Sequence, residues 1–172
     1  MKKLLILLCF TLTLQAQVLI SPVEAMQENY GADASISKKN ILLSTEKFKN
    51  IQKNAKTKLD TKIYRIFTAK KGEEILGYGI LVNRKVRSKN AVILYFIQDS
   101  ILQGIEIIAF NEPREYMPTE KWNAQFINIA TSKNLQLNRD IPSISGATMS
   151  ARSVTDSSKI AFAIYNELLK GN

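Results

Sequence analysis

From Lys62 to Phe110 the chain offers one strand-like segment after another with only short turns between them, and few architectures can accept that. Ile63 to Phe67 is β-branched and aromatic, the kind of side chain that suits a pleated, half-buried surface. Lys71-Gly72 punctuates it and Ile75 to Val82 follows, the pattern of a hairpin. A basic turn, Asn83 to Asn90, leads into Ala91 to Gln98, and Asp99-Ser100 separates that segment from Ile101 to Phe110. In this last segment Ile105, Ile107 and Ala109 alternate with Glu106, Ile108 and Phe110. Both faces are therefore partly apolar, as in a sheet that helices cover.

Helical patterns flank these strands. Ser44-Thr45-Glu46 supplies a cap and early negative charge, and Phe48, Ile51 and Ala55 recur at helical spacing, with Lys47, Lys49, Lys53 and Lys56 on the wet side. Pro118-Thr119-Glu120 opens a short helix whose Trp122 and Phe126 share a face. A loop of Thr, Ser, Asn and Asp runs from Ala130 to Pro142. The last helix is expected from about Ser150 to Lys170, with Val154, Ser158, Ala161, Tyr165 and Leu168 as a narrow buried stripe and Gly171 as its stop. Residues 18 to 43 carry mixed signals and are expected to lead loosely into the fold. Helix, strands, helix, helix, without repeating βαβ units, predicts an α+β fold: a small, mainly antiparallel sheet with packed helices. One domain is expected over 18–172, with its core at about 62–170.

The first residues resemble an export signal. Met1-Lys2-Lys3 is a positive start, Leu4 to Leu14 an apolar run, and Leu14-Gln15-Ala16 a cut site, so 1–17 is expected to be a signal peptide. The run is shorter than the roughly 20 residues that a comfortable span needs. Once it is removed, the chain holds no cysteine, because Cys9 is the sole one, and there is no histidine anywhere. That excludes disulfides, cysteine nucleophiles, Ser-His-Asp and Cys-His triads, the HExxH zinc motif and imidazole metal sites. Metal ligands are accordingly not expected.

The formal net charge is +9 and unevenly spread. Residues 18–90 hold 15 Lys/Arg against 7 Asp/Glu, whereas 91–172 hold 7 against 8. A basic half suits an anionic membrane surface or an acidic partner. An exported chain rarely meets nucleic acid, and lysines on a solvated helix face account for much of the excess.

Near the end stands Ser143-Ile144-Ser145-Gly146-Ala147-Thr148-Met149-Ser150, rich in hydroxyls and poor in bulk, at the start of the last helix. Small residues let backbone approach a ligand closely, and a helix N-terminus presents free N–H groups and a positive dipole end, a geometry that binds phosphate well. The same hydroxyls would cap the helix with no ligand at all.

The stretch SISGATMSARSVTDS resembles the signature of the FMN-binding domain family, which includes flavinylated subunits of ion-pumping NADH:quinone and ferredoxin oxidoreductases and small exported flavoproteins. Gly77-Tyr78-Gly79 is similar to that family's early Gly-Tyr strand. Glu112-Pro113-Arg114-Glu115-Tyr116, followed by Trp122 and Gln125-Phe126, is similar to its middle segment. The likeness covers roughly 75–165. It implies a small antiparallel sheet with helices, and FMN joined through its phosphate to the hydroxyl of Thr148, with Ser145, Gly146, Ala147 and Ser150 at the remaining motif positions. It also implies a separate flavin transferase with FAD as FMN donor, a membrane or periplasmic redox partner, a location in the periplasm or at the inner membrane, and a role as electron carrier rather than stand-alone enzyme. The family's aspartate six residues before the modified threonine is Pro142 here, with Asp140 eight before. Trp122, Tyr116 or Tyr78 could stack on the flavin ring, and Arg152 could neutralise the phosphate.

Other chemistries find less support. Ser44-Thr45-Glu46-Lys47 matches the Ser-x-x-Lys of some acyl-serine enzymes, without the partner motifs. There is neither a Gly-x-Gly-x-x-Gly nor a Walker loop. The alternative from another class is an exported, membrane-associated binding module without a redox cofactor.

Overall fold

A computed structural model describes residues 18–171. The expected signal peptide, 1–17, lies outside the described residues. Six strands form one antiparallel sheet in sequence order: β1 Ser35–Leu42, β2 Ile63–Lys71, β3 Glu74–Lys85, β4 Asn90–Gln98, β5 Ile101–Phe110 and β6 Ile129–Ala130. With its four helices this is the expected α+β arrangement. The turn between β4 and β5 has Asp99 and Ser100 both at positive φ, 50° and 65°, the twist that a two-residue hairpin link favours.

Helices α2 (Thr45–Ala55) and α4 (Thr148–Leu168) cover one face of the sheet, and α1 (Pro22–Tyr30) covers part of the other. The larger core lies under α2 and α4 and includes Tyr64, Ile80, Ile93, Tyr95 and Ile97. The smaller one joins Ala25 and Met26 of α1 to Phe67, Ala69 and Phe96. The short helix α3 (Glu120–Asn123) and the 3₁₀ turn after it bring Trp122 and Phe126 into the larger core beside β5.

Residues 18–43 are ordered parts of the fold, contrary to expectation. Ser21 caps α1 by accepting from the Glu24 N–H, and Pro22 sits where a missing N–H costs nothing. β1 is an edge strand exposed along most of its length, so its sequence shows little alternation. The glycines of Gly77-Tyr78-Gly79 have a structural use here. A Cβ on Gly77 would stand 2.5 Å from the Tyr30 ring, and one on Gly79 would collide with Met26. The glycines thus let α1 lie directly on β3. The Tyr30 hydroxyl donates to the carbonyls of Tyr78 and Ile97 at 3.2 and 3.3 Å, and burial pushes it well above the ordinary tyrosine range.

The last helix begins earlier than its periodicity predicts, at Thr148, and it is buried around most of its circumference rather than along a narrow stripe. Its neighbours explain this: the sheet lies beneath and α2 packs alongside. Small residues, Ser150, Ala151, Ser153, Ser157 and Ser158, let it sit close. Three polar ties fix its position. Tyr95 donates its buried hydroxyl to the Val154 carbonyl at 2.9 Å, Ser100 N–H donates to the Tyr165 hydroxyl at 3.1 Å, and the Asn166 carboxamide donates to the Thr131 carbonyl at 3.0 Å. Each such bond is worth about 1 kcal/mol net, and more is lost when one buried partner is left alone.

Candidate functional site

The segment before α4 makes a tight turn. Ala147 N–H donates to the Ile144 carbonyl at 3.0 Å, and Gly146, third in the turn, has φ 76°. That conformation is open to glycine and costly for other residues. A Cβ there would meet open space, so the turn itself requires the glycine. The chain leaves it directly into α4.

The N-terminus of α4 is the one place where a cap was the simple expectation, and none is present. Ser21, Ser44 and Thr119 cap α1, α2 and α3 by accepting N–H bonds. At α4 the cap position is Ala147, no side chain accepts from the first turn, and that turn holds no acidic residue. Its hydroxyls point elsewhere. Thr148 is exposed, with its hydroxyl in only a long 3.5 Å contact to the Ile144 carbonyl. Ser150 is 1% exposed, and its hydroxyl has no partner. A buried hydroxyl without a partner costs roughly 1–3 kcal/mol, and such a group calls for an explanation.

A cavity of about 240 Å³ opens at this point, lined by Arg87, Glu112, Tyr116, Gly146, Thr148 and Ser150 among others. Arg87 arrives from the turn between β3 and β4. Glu112 arrives from just beyond β5, and its 7% exposed carboxylate holds that turn in place. It accepts from the backbone N–H groups of Arg87, Ser88 and Lys89, at 2.7 Å for Lys89, and from the Ser88 hydroxyl. The Lys89 N–H first, with those of Ser88 and Arg87 behind it, holds the Glu112 carboxyl below the usual glutamate range. Ser153, one turn into α4, donates its hydroxyl to the Lys85 carbonyl at 3.3 Å, so the same turn is also tied to the helix.

Of the five motif residues, Gly146, Ala147, Thr148 and Ser150 line the cavity and Ser145 stands exposed outside it. Tyr116 is the one candidate aromatic at the cavity. Tyr78 is buried in the core against Tyr165, ring centroids 6.0 Å apart, and Trp122 is buried against Phe126. Arg152 is exposed on α4 and does not line the cavity; Arg87 is the cation that does. Sequence reasoning marked 83–90 only as a basic turn, and nothing in it joined that turn to Glu112 or to α4. The Ser44-x-x-Lys47 pattern is a helix cap, with Ser44 Oγ accepting from the Lys47 N–H at 3.2 Å.

Before the turn, neither candidate acidic position offers a free carboxylate. Pro142 is exposed, and its carbonyl accepts from the Trp122 indole at 2.9 Å. Asp140 pairs with Arg139 at 2.8 Å and with Lys133 at 3.4 Å and accepts from the Gln136 N–H. The Arg139 contact first of all holds its carboxyl below the usual aspartate range. Among the described residues no cluster of acidic side chains could hold a metal ion.

Compared with known proteins, the chain matches no family model, and no curated protein matches it significantly. The residues themselves remain as the guide to function. An uncapped helix N-terminus, a glycine turn, a facing arginine, an exposed hydroxyl and a buried, unpartnered one together suit the phosphate end of a ligand.

Proposed function

We propose that the chain is an electron carrier that holds FMN by its phosphate at the N-terminal turn of α4, joined covalently to Thr148. The observation that carries this reading is the pair of hydroxyls one helical turn of backbone presents to a single cavity: Thr148 exposed at its mouth, Ser150 buried without a partner. The free N–H groups of the first turn and Arg87 would neutralise the phosphate. A cavity of about 240 Å³ falls below the roughly 300–1,000 Å³ that encloses a drug-sized ligand. The phosphate and sugar chain fit inside, and the flat ring would lie at the rim, beside Tyr116 and the half-exposed Met149. A ring at the rim suits electron exchange with a partner better than turnover of an enclosed substrate. When bound, the flavin supplies the redox chemistry, and the chain supplies position and electrostatics.

Attachment needs outside help. Thr148 Oγ1 would attack the flavin-side phosphorus of FAD, with AMP leaving and the hydroxyl proton passing to a base. Glu112 is the carboxylate in the cavity, but N–H donors occupy it and lower its basicity. With no histidine in the chain, the base belongs to a separate transferase. Export to the periplasm, where untethered flavin would be lost, accords with a covalent link.

The test is the intact mass of the denatured protein made in an exporting host with a flavin transferase. A gain of one FMN less one water, mapped to Thr148, supports the reading. A colourless protein without added mass overturns it and favours the membrane-docking module without a cofactor.

A further inference from the structure

α1 covers only part of its face of the sheet. It lies over Phe67, Ala69 and Phe96, and Val92 packs against the same cluster, whereas the opposite ends of β1, β2 and β3, with Leu42, Ile63 and Asn83, are left exposed. In one row Leu42 faces Ile63, Asn83 faces Val92, Val92 faces Ala109, and Val18 bridges to Ala109. Ile63 and Asn83 become neighbours because Arg65 and Leu81, each one step along the same face, are partners. Strand alternation fixes the side. Ile41, Tyr64 and Ile93 belong to the core under α2 and α4, so Leu42, Ile63 and Val92 point the other way.

This row crosses all five long strands. Leu42 is 72% exposed, Val18 64% and Ile63 59%. By the same alternation Lys38, Arg65 and Lys85 stand on this face, exposed and outside the ion pairs of the described residues. No Asp or Glu lies in the row itself; Glu106, opposite Leu94 of the smaller core, is on the same face farther along the strands. Ala109 in the row is buried and Val92 half-buried, so the exposed band is the end over β1 to β3, about 10 Å across at roughly 4.8 Å per strand, with Val18 exposed beyond Ala109.

We infer that this band docks on a bilayer surface containing anionic lipid. Leu42 and Ile63, exposed beside Arg65 and Lys85 with no carboxylate in their row, match the interfacial region of such a bilayer, where a few apolar groups enter and each nearby cation gains from the negative surface potential. The turn holding Arg87 lies at the same end of the sheet, and docking therefore keeps the mouth of the Thr148 cavity close to the membrane. The inference stands apart from the flavin reading and does not depend on it.

The test uses the chain isolated from an exporting host in a Cys9→Ser background, with one new cysteine, Ile63→Cys, carrying a small fluorophore. Glu73→Cys, in the exposed turn at the other end of β2, is the control. Each is mixed with phosphatidylcholine vesicles carrying a lipid-borne nitroxide quencher, with or without phosphatidylglycerol. The expected result is strong quenching at position 63 and little at 73, dependent on phosphatidylglycerol. Arg65→Gln or Lys85→Gln should weaken that partition about five-fold each. Equal quenching at the two positions, indifference to phosphatidylglycerol, or a response at 63 only to an added protein fraction would overturn the inference. Flavin content is not read in this experiment, so its failure leaves the Thr148 reading untouched.

Discussion

Trp122 donates its indole N–H to the carbonyl oxygen of Pro142 at 2.9 Å, and this bond ties α3 to the segment that leads into the glycine turn. Trp122→Phe would keep an apolar ring in the core but lose the donor. We expect a loss of about 1–2 kcal/mol, from the hydrogen bond and imperfect packing together. A shift of the denaturant midpoint followed by circular dichroism measures it, with an unchanged midpoint as the refuting result.

Because the Pro142 carbonyl is the bonded atom, its side chain is free to change. Pro142→Asp restores the carboxylate that the resembled family carries six residues before its threonine. With the transferase present, the fraction of chains carrying covalent FMN should rise severalfold by intact mass. An unchanged fraction would mean that the enzyme does not use this position.

Thr148→Ala should abolish flavin that survives denaturation, while stability changes by less than about 0.5 kcal/mol, since the side chain is exposed. Ser150→Ala makes a sharper test because its two effects oppose each other. Removing the unpartnered hydroxyl should leave the flavin-free protein as stable or up to about 1 kcal/mol more so. Non-covalent FMN should bind about ten-fold more weakly if that hydroxyl contacts the phosphate. Equal affinity in a calorimetric titration would remove Ser150 from the site.

Glu112 predicts a pH dependence. Its folded carboxyl lies below the ordinary value of 4.5, so its contribution is complete above that value and is lost as the pH falls through the lower folded value. Glu112→Gln should lower the melting temperature at neutral pH and flatten the acid limb below 4.5. Asp140 and Asp33, lowered in the same direction, should leave some slope behind. A variant with the full wild-type acid limb would refute the assignment.

The two glycines under α1 should not be equivalent. A Cβ on Gly77 meets the stiff ring of Tyr30, whereas one on Gly79 meets the flexible end of Met26. Gly77→Ala should therefore cost more than Gly79→Ala, about 2–3 against 1–2 kcal/mol, by chemical denaturation. The reverse order would show that α1 yields at its Tyr30 end.

The sheet was legible where its strands face two cores. β2 to β5 carry dense β-branched and aromatic residues, and their turns carry Gly, Asp, Ser and Asn. β1 was not, because an exposed edge strand such as Ser35–Leu42 has no buried face to impose alternation. α1 escaped because its buried residues are only Ala25 and Met26, adjacent and too few to set a helical period, while the glycines that let it sit close belong to another element. At the site, Gly146, Thr148 and Ser150 stood out because they fall within one five-residue stretch. Arg87 and Glu112 did not: their contact spans 25 residues and depends on three backbone N–H groups, which no side-chain pattern records.

Strand order equal to sequence order sets an order in time. A chain emerging N-terminus first can add each strand to the one just formed, at little loop-closure cost. The sheet face beneath α4 nevertheless stays bare until the last residues arrive, and so does every group that meets at Thr148. The attachment point proposed for FMN would thus be a product of completed folding: a transferase acting there would load finished molecules and pass over partial ones.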